Sequence, residues 1–423
     1  MPSVSRRHVL FTAAGTAALL ATGAWPAAAG VTSAANTADL DDPTVVVEWN
    51  RALLRIVRTP GAQPATVHPT RSFAMLHGAI HDAVVSTTHS HHGRQRTAPI
   101  AAAAAAGHDV LVALYPSMTA ALDQQLATDL AMVIDADARD AGIRAGQRAA
   151  QRMLRQRADD GSSATPPAIT PGTLPGQYRP DPPNFPTPVF THWAAVTPFV
   201  LDDADQFRPR PYPALNGAEY ANAINEVKSL GRNTSTTRTE DQTVHGRFWA
   251  APIWNYWNEI TQNVVLARHS GLATAARVFA QLNLTFADSV IAFYDAKYHF
   301  RVWRPVTAIR LADNDTNPAT TGDPTWVSLA NTPADPSYPG AHSVIAQAGA
   351  NVLRHTYGPQ QHLTVTSEVL AGTVRTFDRF QGAADEAGLS RIFAGLHTRI
   401  DHEAGQLLGA NVARFLLTDG QDD

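Results

Sequence analysis

Apolar positions along the chain recur mostly at three- and four-residue intervals, and sustained two-residue alternation is nearly absent, so the pattern predicts helices. Val45 to Val57 sets Val47, Trp49, Leu53, Leu54 and Val57 at helical spacing. His68 to Val85 follows as a second helix, with Pro69 near its start, where a missing N–H does no harm. Ile100 to Leu114 is Ala-rich and a strong helix former. Met118 to Ala138 and Ala141 to Arg157 continue the series. From about Asp160 to Pro213 the chain turns to Pro, Gly, Thr and Asp, which predicts a long irregular surface loop or lid. Helical spacing resumes over Ala218 to Leu230, Ile253 to Arg268, Leu272 to Lys297, Gly340 to Tyr357, Val365 to Gln381 and Ile400 to Leu416. The expectation is an all-α fold: one helical domain over residues 30–423 with a long Pro-rich loop.

Composition narrows the classes. Hydrophobic residues make up 44% of the 423, enough for a sizeable core and too many for a disordered chain. Lys and Arg number 33 against 37 Asp and Glu, so there is no basic excess to neutralise nucleic-acid phosphates. The absence of cysteine rules out disulfides, thiolate metal sites and cysteine nucleophiles. Ser5-Arg6-Arg7-His8-Val9-Leu10-Phe11 opens an apolar stretch that ends at Ala27-Ala28-Ala29. That order reads as an export signal over residues 1–29, and the paired arginines give it a twin-arginine character. No later stretch reaches the roughly 20 apolar residues of a membrane span, so the expected product is exported and without a span.

Three polar clusters stand out in the C-terminal half: 297–305, 338–343 and 390–401. Lys297 offers a compact ammonium, and Arg304 and Arg391 offer planar forks suited to an anion with several oxygens. Gly340 and Ala341 precede a helical run, where free backbone amides point at anions. His342 stands beside that turn and can exchange a proton near neutral pH. His397 precedes Asp401 by four residues, one helical turn, so the carboxylate can orient the imidazole. Three cations converging on one pocket call for a tetrahedral or trigonal-bipyramidal oxyanion such as phosphate or vanadate.

The order Lys297, six residues, Arg304-Pro305, then Pro339-Gly340-Ala341-His342, then Ser390-Arg391, five residues, His397, three residues, Asp401 resembles a known signature. It is that of the superfamily of vanadium-dependent haloperoxidases and type-2 phosphatidic acid phosphatases. Phe300 to Arg310 and Asp401 to Gly405 look like its exported bacterial haloperoxidase-like branch. The likeness runs from Lys297 to the C-terminus, with a looser one around Trp49 to Val85. One position departs from the pattern: Gly340 stands where the family has serine. Losing that hydroxyl donor costs about 1.5–3 kcal/mol of anion affinity.

The resemblance implies a helical bundle with vanadate as cofactor, bonded to His397. Lys297, Arg304, Arg391, Gly340, Ala341 and His342 would surround its oxygens. His342 would serve as acid–base and Lys297 would polarise bound peroxide, with Asp401 behind His397. The substrates would be hydrogen peroxide, a halide and an organic acceptor. The alternative is an exported phosphatase acting through a phosphohistidine at His397, with phosphate in the same cage and no cofactor.

Other features carry bland readings. His89, His91 and His92 form a tract read as solvated loop. His77, His81 and Asp82 share a helix and are expected to serve packing. Asn233-Thr234-Ser235 fits a glycosylation acceptor that a twin-arginine substrate would not normally present to that machinery. Trp303 is a pocket wall or core. Nothing in the pattern sets halide preference or oligomeric state.

Overall fold

The computed structural model describes residues 41–88 and 98–418. The export signal at residues 1–29 and the His89, His91 and His92 tract lie outside them. Five helices come first: α1 (Thr44–Arg58), α2 (Pro69–Thr88), α3 (Pro99–Leu114), α4 (Thr119–Ala131) and α5 (Ala136–Gln156). The run expected as one helix from Met118 to Ala138 is broken. Asp135 lies in extended backbone and its carboxylate caps Ala138 N–H at 3.0 Å, which starts a new helix there. The alanine face of α3 packs against α5, and the small side chains let the backbones come close. With the start of the later helix Leu272–Phe300 they enclose a first apolar core around Trp49, Leu53, Phe73, Leu76 and Phe279.

The second half contributes α6 (Ala218–Leu230), α7 (Glu240–Phe248), α8 (Ile253–Ala267), α9 (Leu272–Phe300), α10 (Pro305–Arg310), α11 (Ala341–Tyr357), α12 (Phe380–Phe393) and α13 (Arg399–Thr418). A second core, around Trp257, Phe286, Val290, Ile345 and Leu408, lies between α8, α9, α11, α12 and α13. A third, around Tyr220, Trp303, Trp326 and Tyr338, closes one end of the bundle and contains Trp303 as core. The helix expected over Val365 to Gln381 is instead a hairpin. Strand β1 (Gln360–Thr366) pairs antiparallel with β2 (Val374–Arg379), and α12 begins at Phe380. Leu363 and Val365 alternate inward while Thr364 and Thr366 face out, a two-residue period too short to outweigh the helical spacing around it. The fold is therefore mostly helical with one small sheet among the described residues. None of the described helices is long and apolar enough to cross a membrane.

The Pro-rich segment holds one short 3-10 turn, Trp193–Ala195, and is tied down by buried charge. Asp288 on α9 accepts the backbone N–H groups of Phe199, Val200 and Leu201 at 2.7, 2.7 and 2.9 Å. Asp160 accepts Arg71 Nε at 2.6 Å and Arg157 Nε at 3.0 Å, and Arg157 donates on to Thr197 O and Pro198 O. Further along, Tyr178 N–H donates to Arg301 O at 2.7 Å, which ties the segment to the chain just after α9. His77 joins a buried amide network instead of a site. It stacks on Phe279 and lies 2.8 Å from Asn50, which donates to Asn258 at 2.7 Å.

Helices α11 and α13 cross closely at Gly405 and Gly409. A Cβ on Gly409 would overlap the Val344 carbonyl. This crossing sets the start of α11, with His342, against the start of α13, with Asp401. Gly409→Ala is expected to push the pair apart and lower stability by about 1–3 kcal/mol. Urea unfolding should show the loss as a lower midpoint with an unchanged slope.

Candidate active site

The three polar clusters meet at one end of the bundle. Lys297 lies in the last turn of α9, which stops at Arg301 in left-handed backbone, φ 49°, with its N–H on Lys297 O. The chain then turns through Val302 and Trp303 and places Arg304 as the cap of α10. Arg391 is in the last turn of α12, and His397 lies in the turn before α13. Gly340 caps α11 and His342 is in its first turn. Lys297 is fully buried, and Arg304, Arg391 and His397 are nearly so.

Two donors are already engaged. Lys297 Nζ donates to Pro336 O and, at 3.2 Å, to Ser337 O. Arg304 donates from Nε to Asp335 O at 2.7 Å, from Nη1 to Leu396 O at 2.9 Å, and from Nη2 to Asp335 Oδ1. The second Asp335 oxygen lies 3.6 Å from Lys297 Nζ. Arg391 differs: its Nε and Nη1 are buried and face no acceptor in the protein. Buried N–H groups of a guanidinium without partners are rare and costly, and they suit an incoming anion.

The imidazoles are held in defined tautomers. Arg304 Nη1 lies 3.2 Å from His397 Nε2, and a guanidinium can only donate, so Nε2 carries the lone pair. The proton is then on Nδ1, which lies 3.4 Å from Ser337 Oγ and 3.5 Å from Asp401 Oδ2. Asp401 Oδ2 also accepts Ser337 Oγ–H at 2.8 Å and Thr398 N–H at 2.7 Å. His342 Nε2 lies 2.9 Å from Trp249 O, a pure acceptor, so this ring carries its proton on Nε2.

Burial dominates the acid–base character. It pulls the His397 pKa well below 6.5, and Arg304, Lys297 and Arg391 lower it further. Burial does the same to His342, reinforced by Arg391. Both rings are therefore neutral at ordinary pH until a negative guest offsets the cations. Burial also brings Lys297 down to about 8 and Arg391 to about 10. For Asp335, burial pushes upward, but Lys297 and Arg304 outweigh it and hold the carboxyl below its usual range.

All eight residues singled out in the sequence come to this end of the bundle. The amide of Gly340 is not free, however, since it donates to Asp401 O at 2.8 Å. What remains at that corner is the first turn of α11, where Ala341, His342 and Ser343 amides have no in-helix acceptor. Ser343 Oγ turns to His402 Nδ1 at 2.9 Å and leaves the place of the family serine unfilled. Two neighbours escaped the motif reading: Asp335 and Ser337, both in the Pro-rich turn before α11. Periodicity is silent in such a turn, and a lone Asp-Pro-Ser there reads as turn chemistry. The residues fit an oxyanion. Arg391 supplies unpartnered donors, the α11 amides supply more, and His397 Nε2 presents a lone pair of the kind a vanadium or phosphorus centre requires.

The fold is a helical bundle that buries three cationic side chains together at one end. Residues 277–422 match the family model for the VCPO second helical-bundle domain. Over that stretch the chain is similar to vanadium haloperoxidases, and the match leaves residues 1–276 uncovered. It is similar to a vanadium chloroperoxidase from Curvularia inaequalis, 25% identical over 281 residues, 51% of this chain and 44% of that protein. The match thus spans less than half of the fungal enzyme's length. In structure it resembles a bacterial vanadium-dependent iodoperoxidase, with TM-score 0.75, 24% identity, and 91% and 97% of the two chains covered. It also resembles a holo-type bacterial vanadium-dependent chloroperoxidase, with TM-score 0.65, 15% identity, and 89% and 97% covered.

A pH dependence follows from Lys297. The ammonium is present below about 8 and lost above it, so anion affinity should fall as pH rises through that value. Calorimetric titration with molybdate, a dianion throughout, between about pH 6.5 and 9 should show the decline. Lys297→Arg, which stays charged, should flatten it.

Proposed function

We propose that the protein is a vanadate-dependent haloperoxidase that uses hydrogen peroxide to oxidise a halide to hypohalous acid, which then modifies an organic acceptor. The observation that carries this reading is Arg391, buried with unpartnered donors beside His397 in a chain similar to vanadium haloperoxidases. Vanadate, when bound, supplies a Lewis-acidic centre that activates peroxide without changing oxidation state.

The chain's own residues do the rest. His397 offers Nε2 toward the pocket, and its Nδ1 proton faces Asp401 and Ser337, which hold the ring's orientation. Asp401 is itself fixed by Thr398 N–H and Ser337 Oγ–H. Lys297, Arg304 and Arg391 surround the pocket with positive charge that water does not screen, where each cation acts more strongly than at the surface. His342 holds its Nε2 proton on Trp249 O and also meets the Ala251 backbone, and in this reading its other nitrogen would take a proton from a guest oxygen. Once it carries that proton it can return it, which is the acid–base cycle peroxide exchange requires. The reading includes export by the twin-arginine route, which places peroxide chemistry outside the cytoplasm.

Two assays on one preparation test it. Halogenation of a diketone with vanadate, peroxide and bromide or iodide is expected, and hydrolysis of a nitrophenyl phosphate is not. Ester cleavage without halogenation would assign the same cage to a phosphatase. His397→Ala should abolish halogenation, by at least about 1,000-fold; a merely weakened enzyme would remove His397 from its assigned place.

A further inference from the structure

Arg304 and Lys297 were expected to greet a guest with open donors, and in the structure they do not. A guanidinium has five N–H bonds, and Arg304 commits four: two to Asp335, one to Leu396 O and one to His397 Nε2. Lys297 turns toward Pro336 O, Ser337 O and the second oxygen of Asp335. Asp335 is itself buried, 6% exposed, so this carboxylate is a planar, singly charged oxyanion already seated on two of the three cations. Its reach is felt across the pocket: it acts electrostatically on His397 and Arg391 as well as on its two partners. Arg391 alone keeps buried, unmatched donors.

We propose that Asp335 is a built-in rival of the bound oxyanion. Its carboxylate takes an Arg304 donor and lies 3.6 Å from the Lys297 ammonium, where a guest would sit, and so it sets how tightly the pocket holds a tetrahedral anion. Two consequences follow from charge alone. Removing one negative charge from among three cations strengthens attraction for any anion placed there. A guest must also either displace the carboxylate from Arg304 or accept its repulsion at close range. The turn Pro333 to Pro339 that carries Asp335 is thereby a determinant of anion affinity, separate from the donors themselves. This rests on the proposal that the cage holds an oxyanion, and the test keeps the two apart.

Orthovanadate, and separately inorganic phosphate, would be titrated calorimetrically into the wild type, Asp335→Asn and Asp335→Glu, with thermal melts run alongside. Asp335→Asn keeps the size and removes the charge; it is expected to bind both anions at least about tenfold more tightly than wild type. Its melting temperature should start lower, because two buried cations lose their partner, and should rise more steeply with added anion. Asp335→Glu keeps the charge and should bind no more tightly than wild type. Adding Arg391→Ala to Asp335→Asn should cancel the gain, which locates the binding in this pocket. Equal or weaker binding by Asp335→Asn, with the wild type still binding, overturns the rivalry and leaves the oxyanion site standing. No binding of either anion by any of these proteins overturns both. If Asp335→Asn folds only with anion present, the proposal holds; if it fails to fold with and without anion, Asp335 is a structural counter-ion and the proposal falls.

Discussion

Three positive charges buried together, with the Asp335 carboxylate set directly against two of them, are the constraint around which this end of the protein is organised. Taking an ion out of water costs several kcal/mol, and like charges in a shared low-dielectric space add to that cost. Lys297, Arg304 and Arg391 tolerate it because each is mounted on a different rigid element whose apolar faces are sealed in the cores. The neighbouring groups answer the same field. Imidazoles are kept neutral, a carboxylate is held ionised, and backbone oxygens of the turn before α11 point inward at the cations.

The scaffold shows how residues far apart in the chain are brought to one site. Helix α9 carries Lys297 at its end and Asp288 two and a half turns earlier, so the helix that presents a cation also anchors the Pro-rich segment. Helices α11 and α13 bring His342 and Asp401 together through a crossing that only glycine permits. The first five helices add a separate apolar core that includes the start of α9 and steadies it.

Most helices were legible because their apolar stripes are long; α6 and α11, each bounded by glycine at both ends, illustrate this, one matching its expected bounds and the other starting one residue late. The hairpin was not legible, since Leu363 and Val365 offer only two inward positions before the chain turns. At the site, residues within fixed short spacings, such as Lys297 with Arg304 and His397 with Asp401, were readable in the sequence. Asp335 was not, because its role depends on a turn folding back onto α9 and α10, and nothing local marks a carboxylate that will meet a guanidinium 31 residues away. The commitment of the Gly340 amide to Asp401 was equally hidden, being a contact between two distant helix starts.

The contact between Arg304 and His397 Nε2 has one more implication. Because an obligate donor faces that nitrogen, the ring keeps Nε2 free of a proton, with the lone pair accepting from Arg304, and its hydrogen parked on the far side. A guest that bonded this atom, as proposed above, would take the place of the Arg304 N–H, and no hydrogen ion would have to leave the histidine first. Capture there would be a swap of neighbours, available over the whole span of acidity in which the ring stays uncharged.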